Sequence, residues 1–132
     1  MFNLPIAGMI FNDPKYNLYW TTLIYKGVPS DRYLISTYGD VFDVVQNKLC
    51  NVIYDEKKDP YPYFHPVRDR TVLKFGKVRI HEAVAESFLG YRASDKTHIN
   101  HMDGVKKHSY AFNLEYCTPK ENAQHAIAHG LR

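Results

Sequence analysis

The tightest constraint on the fold lies near the C-terminal end, where Thr118-Pro119-Lys120-Glu121 spells out a helix start. Thr118 can cap the first turn, and Pro119 suits the first helical position because its missing N–H is not needed there. Glu121, three residues after the cap, completes a capping box. The helix so begun carries Ala123, Ala126 and Ile127 and stops at Gly130. Upstream, residues 98–102 alternate as a strand does, Asp103-Gly104 opens a turn, residues 106–111 form a loop, and residues 113–117 make a second strand. The last third of the chain therefore reads strand, loop, strand, helix.

The remainder is richer in strands. Residues 18–25 are β-branched and aromatic and end at Lys26-Gly27; residues 32–37 and 41–45 form a hairpin around Gly39. Residues 55–62 are charged and hold Pro60 and Pro62, which reads as a loop or boundary. Residues 71–75 and 78–80 suggest another hairpin. Residues 81–90 have helical spacing, with Val84, Ala85, Phe88 and Leu89 on one face and Gly90 as the stop. The expected class is α+β: a β-rich N-terminal region over residues 1–64 and a second unit over residues 65–132 that contains the ββα element at about residues 98–130.

Composition sets the outer limits. Of 132 residues, 45% are hydrophobic and 23% charged, so a packed core is expected and wholesale disorder is not. No apolar run approaches the roughly 20 residues of a membrane helix. The apolar opening of the chain lacks a basic start and meets Asn12, Asp13 and Pro14 at once, unlike a secretory signal. Cys50 and Cys117 are too few for a disulfide framework, which fits a reducing cytoplasm, and their spacing excludes a zinc ribbon. Net charge is only +3 but uneven: residues 1–64 hold six Lys/Arg against seven Asp/Glu, and residues 65–132 hold eleven against seven. Five of the seven histidines also lie beyond residue 97. A basic, histidine-rich half is where a polyanion partner would be sought.

On the ββα frame, Asn100 and His101 end the first strand, Asn113 opens the second, and Asn122 lies one turn into the helix. A histidine with two amide oxygens can activate a water and hold one hard divalent ion. A zinc site competes for the same frame, since His98 and His101 are spaced HxxH while His125 and His129 sit one helical turn apart. An all-histidine structural site is uncommon and would leave Asn122 without a role, so no structural zinc is expected.

Residues 98–125, HINHMDGVKKHSYAFNLEYCTPKENAQH, resemble the ββα-metal (His-Me finger) motif of HNH endonucleases, particularly the small phage and homing kind. Residues 78–90, VRIHEAVAESFLG, resemble the strand and helix that such proteins carry just upstream. Trp20, Ile24-Tyr25, residues 33–36 and Gly39-Asp40-Val41 resemble the aromatic β-motif often found before the nuclease, which implies an accessory or DNA-binding role for residues 1–64. The resemblance implies a divalent-metal-dependent DNA endonuclease. His101 would be the general base, Asn100 and Asn122 the ligands of one Mg²⁺ (or Mn²⁺), and Asn113 a hydrogen-bonding support counted with the catalytic set. Hydrolysis would leave 5′-phosphate and 3′-hydroxyl ends on double-stranded DNA. Lys106 and Lys107 in the loop, then Arg79, Arg92, Arg68 and Arg70, would be the DNA contacts. Family members frequently have Asp where Asn100 stands and His where Asn122 stands. A neutral Asn100 should hold the ion more weakly, while an Asn at 122 suits Mg²⁺. The alternative is a non-catalytic DNA-binding module that uses the ββα unit for docking. Host-cell cytoplasm is the expected location if the chain is phage-encoded, and monomer or homodimer stays open.

Overall fold

The computed structural model describes residues 10–67, 75–90 and 92–130. Its first sheet grows from two tight turns. β1 (Trp20–Tyr25) and β2 (Val28–Ser36) pair antiparallel with Tyr25 opposite Val28. Lys26 and Gly27 between them both adopt positive φ, 54° and 77°, the turn geometry that matches the right-handed twist of the flanking strands. β3 (Val41–Asp43) returns onto β2 after Gly39, and β4 (Lys48–Leu49) completes the order β1-β2-β3-β4. A buried two-pronged ion pair, Arg32 Nε and Nη2 to Asp43 at 2.9 and 2.8 Å, ties β2 to β3.

β5 (Ile53–Asp55), β6 (Asp59–Phe64) and β7 (Val78–Arg79) form a second sheet, with β6 in the middle. Residues 55–62, expected as a loop, thus supply the end of β5, a turn and most of β6. Both prolines escape the usual exclusion from strands. β7 pairs only with Tyr63 and Phe64, beyond Pro60 and Pro62, and the β5 ladder is interrupted by a register shift opposite them. The pairing of β6 with β7 also runs across residue 64, the boundary expected between the two regions of the chain. Val78-Arg79 is a strand as expected, but Ile80 already begins the helix. The other arm of the expected hairpin falls largely on residues 68–74, outside the described residues, and so do Arg68 and Arg70.

α1 (Ile80–Phe88) packs mainly on β1 and turns Ala83, Val84 and Ala85 fully inward. Its outer turn clamps the β1–β2 hairpin. Glu86 accepts hydrogen bonds from the Lys26 and Gly27 amides at 2.8 Å each, and Ser87 Oγ accepts from Ile24 at 2.9 Å. One apolar core joins Leu23, Tyr33 and Ile35 of the first sheet, Phe64 and Val78 of the second, Val84 of α1, and Leu114 farther on. α1 is therefore the shared floor on which everything downstream sits. No helix among the described residues is long and apolar enough to cross a membrane.

β8 (His98–His101) and β9 (Leu114–Cys117) form the last sheet, and α2 (Pro119–Ala128) comes after it. Both halves of the capping box are made: Glu121 N–H donates to Thr118 Oγ1 at 3.1 Å, and Thr118 N–H donates to Glu121 Oε1 at 2.9 Å. The expected α+β class and C-terminal ββα unit are both present. The unit docks on the first sheet where Ala111 N–H donates to Thr37 O at 2.8 Å. Gly39, at φ 85°, allows this approach, because a Cβ there would stand 2.8 Å from Ile80 Cγ2 and 3.4 Å from Ser109 O.

Candidate active site

The loop between β8 and β9 is held by its own hydrogen bonds. Asn113 is buried in a short 3₁₀ turn just ahead of β9, and its amide spans the loop. Oδ1 accepts from Asp103 N–H at 3.0 Å, while Nδ2 donates to Asp103 Oδ1 at 2.9 Å and to His108 O at 3.0 Å. Asp103 in turn pairs with His108 Nδ1 at 2.6 Å. Burial would raise the Asp103 pKa, but the hydrogen bonds from His108, Val105 and Asn113 outweigh it and hold the carboxyl at about 2. Asn113 is therefore a frame residue, and it does not line the cleft below.

That cleft, about 830 Å³, lies between α1, the β8–β9 hairpin and α2. His101, Asn100 and Asn122 all line it, together with Lys106 and Arg92. Neighbours on a strand normally point to opposite faces. Here β8 ends at His101, Gly104 N–H closes a turn onto His101 O at 2.8 Å, and both Asn100 and His101 reach the cleft. Asn100 Nδ2 donates to Glu115 Oε1 at 2.9 Å. His101 is 6% exposed, and its Nε2 is buried without a hydrogen-bond partner among the described residues. Burial lowers its pKa to about 4; Asp103 opposes the shift, and Lys106 and His108 add to it. The ring is neutral at physiological pH.

Two residues that the sequence did not single out for the site complete its wall. Tyr61 of β6 stacks on His81 of α1 with centroids 4.1 Å apart, and His101 lies 5.6 Å from Tyr61 and 5.2 Å from His81. His81 is buried with Nδ1 unpartnered among the described residues, and burial, then the neighbouring His101, pushes its pKa down to about 3. Twenty residues separate each member of this stack from the next, so no local signal announces it. Glu115 was equally hidden, because its place opposite Asn100 comes only from the strand register.

The expected basic contacts divide. Lys106 is exposed at the cleft with its ammonium 5.8 Å from the Tyr61 ring centre, whereas Lys107 lies over Tyr54 and outside the cleft. Arg92 lines the cleft over Tyr116. Arg79 is engaged by Asp59 at 3.1 Å and lies 3.9 Å from Glu82. Among the described residues, no three His, Cys, Asp or Glu side chains gather where a metal could be held. His125 Nε2 instead meets Met102 O at 3.0 Å, and His129 stacks on His125. Donors of a different kind do suit a metal. Asn100 Oδ1 takes no hydrogen bond among the described residues, Asn122 stands on the same cleft, and neutral amide oxygens fit a small hard cation rather than zinc.

The structure thus presents a ββα unit with a buried histidine and asparagines at one cleft. No family model matches the chain. It is 28% identical over 120 residues to an uncharacterised HNH endonuclease of Acanthamoeba polyphaga mimivirus, which spans 88% of this chain and 29% of that protein. It is 42% identical over 52 residues to a provisionally named HNH homing endonuclease from the SPbeta prophage of Bacillus subtilis (strain 168), covering 39% of this chain and 30% of that one. The chain thus spans under a third of the length of these curated relatives. Its fold matches a solved structure of the HNH homing endonuclease I-HmuI, a study of DNA binding and cleavage, with a TM-score of 0.67 and 24% identity over 86% of this chain and 60% of that one. In sequence and fold the chain is thus similar to HNH endonucleases of the phage and homing type.

Proposed function

We propose that this chain is the phosphodiester-hydrolysing unit of a DNA endonuclease, with His101 as general base and one divalent ion, Mg²⁺ or Mn²⁺, held by Asn100 and Asn122. The observation that carries the reading is the convergence on one cleft of a neutral, buried histidine and two amide side chains, with Lys106 at the rim. Double-stranded DNA is the partner. Lys106 and Arg92 draw its backbone to the cleft, and Lys107 adds attraction from outside it. With Nε2 enclosed, Nδ1 is the ring nitrogen of His101 left to take a proton from the attacking water. Asn113 holds the loop that carries Asp103, and Asp103 favours the protonated ring as the proton arrives. A bound divalent ion supplies stabilisation of the charge that develops on the phosphate and on the leaving 3′ oxygen. Departure of the 3′ oxygen leaves 5′-phosphate and 3′-hydroxyl ends. One base and one ion cut one strand per visit.

The test is conversion of supercoiled plasmid by the purified chain with Mg²⁺, with EDTA, and with a His101→Phe variant that keeps a ring in the wall. Mg²⁺-dependent nicks lost in the variant support the reading. Equal cutting by the variant, or cutting indifferent to EDTA, would sink it; binding without nicks would favour a docking module.

A further inference from the structure

Asn100 occupies a position where an acid would bring a negative charge to the metal, and the structure shows that charge one strand away. Asn100 and Glu115 stand directly opposite in the β8–β9 register, and Asn100 Nδ2 donates to Glu115 Oε1 at 2.9 Å. A carboxylate offers only acceptors, so it can receive the amide nitrogen but not face the amide oxygen. The Asn100 side chain is thereby turned one way on a residue that lines the cleft, with its nitrogen toward Glu115 and Oδ1 left without a hydrogen bond among the described residues. Asn100 is 4% exposed, which leaves little room for its amide to rearrange.

We infer that Glu115 is a positioning residue of the metal site. It fixes the amide of Asn100 with the oxygen presented to the ion, and it restores across the strand pair the charge that a neutral ligand lacks. The inference rests on the reading of Asn100 as a ligand given under Proposed function. It explains how an asparagine can replace an acid there without loss of the site. Partners of this kind outside the ligand set orient ligands and tune metal affinity, and their loss typically weakens binding about 10- to 100-fold.

The experiment is a Mn²⁺ titration of the full chain, in the non-cutting His101→Phe background with a duplex oligonucleotide, reading unbound Mn²⁺ by electron paramagnetic resonance. Glu115→Lys should weaken Mn²⁺ binding by about 10- to 100-fold, because an ammonium bonds to Oδ1 and turns the NH₂ group into the cleft. Glu115→Gln can still accept the bond but lacks the charge, and should fall between. The exchange Asn100→Asp with Glu115→Gln rebuilds the same hydrogen bond with donor and acceptor reversed, and should bind at least as tightly as the parent. A role in packing alone would not produce that recovery. Thermal melts confirm that each variant is folded. Parental affinity in Glu115→Lys, or an exchange variant no tighter than Glu115→Gln, overturns the role of Glu115. A parent that binds no Mn²⁺ overturns the ligand assignment itself.

Discussion

Near the loop-proximal pairs of the β8–β9 hairpin, two neighbouring places, one on the loop and one on the cleft, use the same residue type in opposite ways. At the loop, the Asn113 amide makes three hydrogen bonds, and its partner Asp103 is itself paired with His108. At the cleft, Asn100 commits only its nitrogen, while His101 Nε2 and the neighbouring His81 Nδ1 are buried with no partner among the described residues. Buried polar groups in folded proteins are normally satisfied, and exceptions call for an explanation. The saturated place holds the backbone in one shape. The unsaturated place leaves polar atoms unpaired in the wall of the cleft, at some cost to stability.

The sharpest way to break this contrast is to replace one residue at each place. His101→Phe keeps a ring against Tyr61 and His81 and deletes the unpartnered nitrogen. Cleavage should fall at least about 100-fold through loss of the base, while the melting temperature holds or rises. Asn113→Ala should do the reverse in stability. It strands the Asp103 amide and the His108 carbonyl and costs about 3 kcal/mol, or roughly 10 °C in melting temperature. A destabilised His101→Phe, or an Asn113→Ala that melts like the parent, would erase the distinction.

Which parts could be read from the sequence depends on the range of the forces involved. The capping box at Thr118 and Glu121 is a signal confined to four residues, and both of its bonds form. The spacing of Asn100, His101 and Asn122 lies within one supersecondary unit, and the structure brings all three to one cleft. Tyr61 and His81 escaped because their stack depends on β6 crossing α1, a tertiary event without a local pattern. Asp59 escaped similarly. It looked like part of a charged loop, yet it is 2% exposed and accepts hydrogen bonds from Lys77 at 2.7 Å and Arg79 at 3.1 Å. Prolines pointed the same residues toward a loop, and tertiary pairing overrode that preference at positions where no ladder bond is asked of them.

A second, smaller effect is the acid sensitivity of the unsaturated place. His81 and His101 have folded pKa values of about 3 and about 4, below the ordinary value near 6.5. A depressed value means that the unfolded chain binds the proton first. The stability held by each neutral ring is therefore full above about pH 6.5 and is lost as pH falls toward the folded value. Asp59 and Asp103, held near 2, lose their contribution only below about pH 4, so the two windows separate. Between pH 7 and 5 each histidine should cost about 2 kcal/mol. His81→Phe should then flatten the fall in melting temperature across that interval by about half. An unchanged slope would mean that His81 is not held neutral by burial.

The smallest effect separates the two loop lysines. Both are exposed, and neither makes an ion pair among the described residues, so neither belongs to the saturated frame. Each Lys→Ala change should weaken DNA binding modestly and reduce the dependence of log affinity on log salt by about one. The two should differ in the cleavage step once DNA is bound. Lys106 lines the cleft beside His101, so its loss removes positive charge next to the reacting phosphate and should slow single-turnover cleavage even at saturating protein. Lys107 lies over Tyr54 outside the cleft, and its variant should cleave at the parental rate once bound. Equal slowing by both variants would extend the reactive surface from the cleft onto the face of β5, and equal indifference would reduce Lys106 to the same long-range attraction as its neighbour.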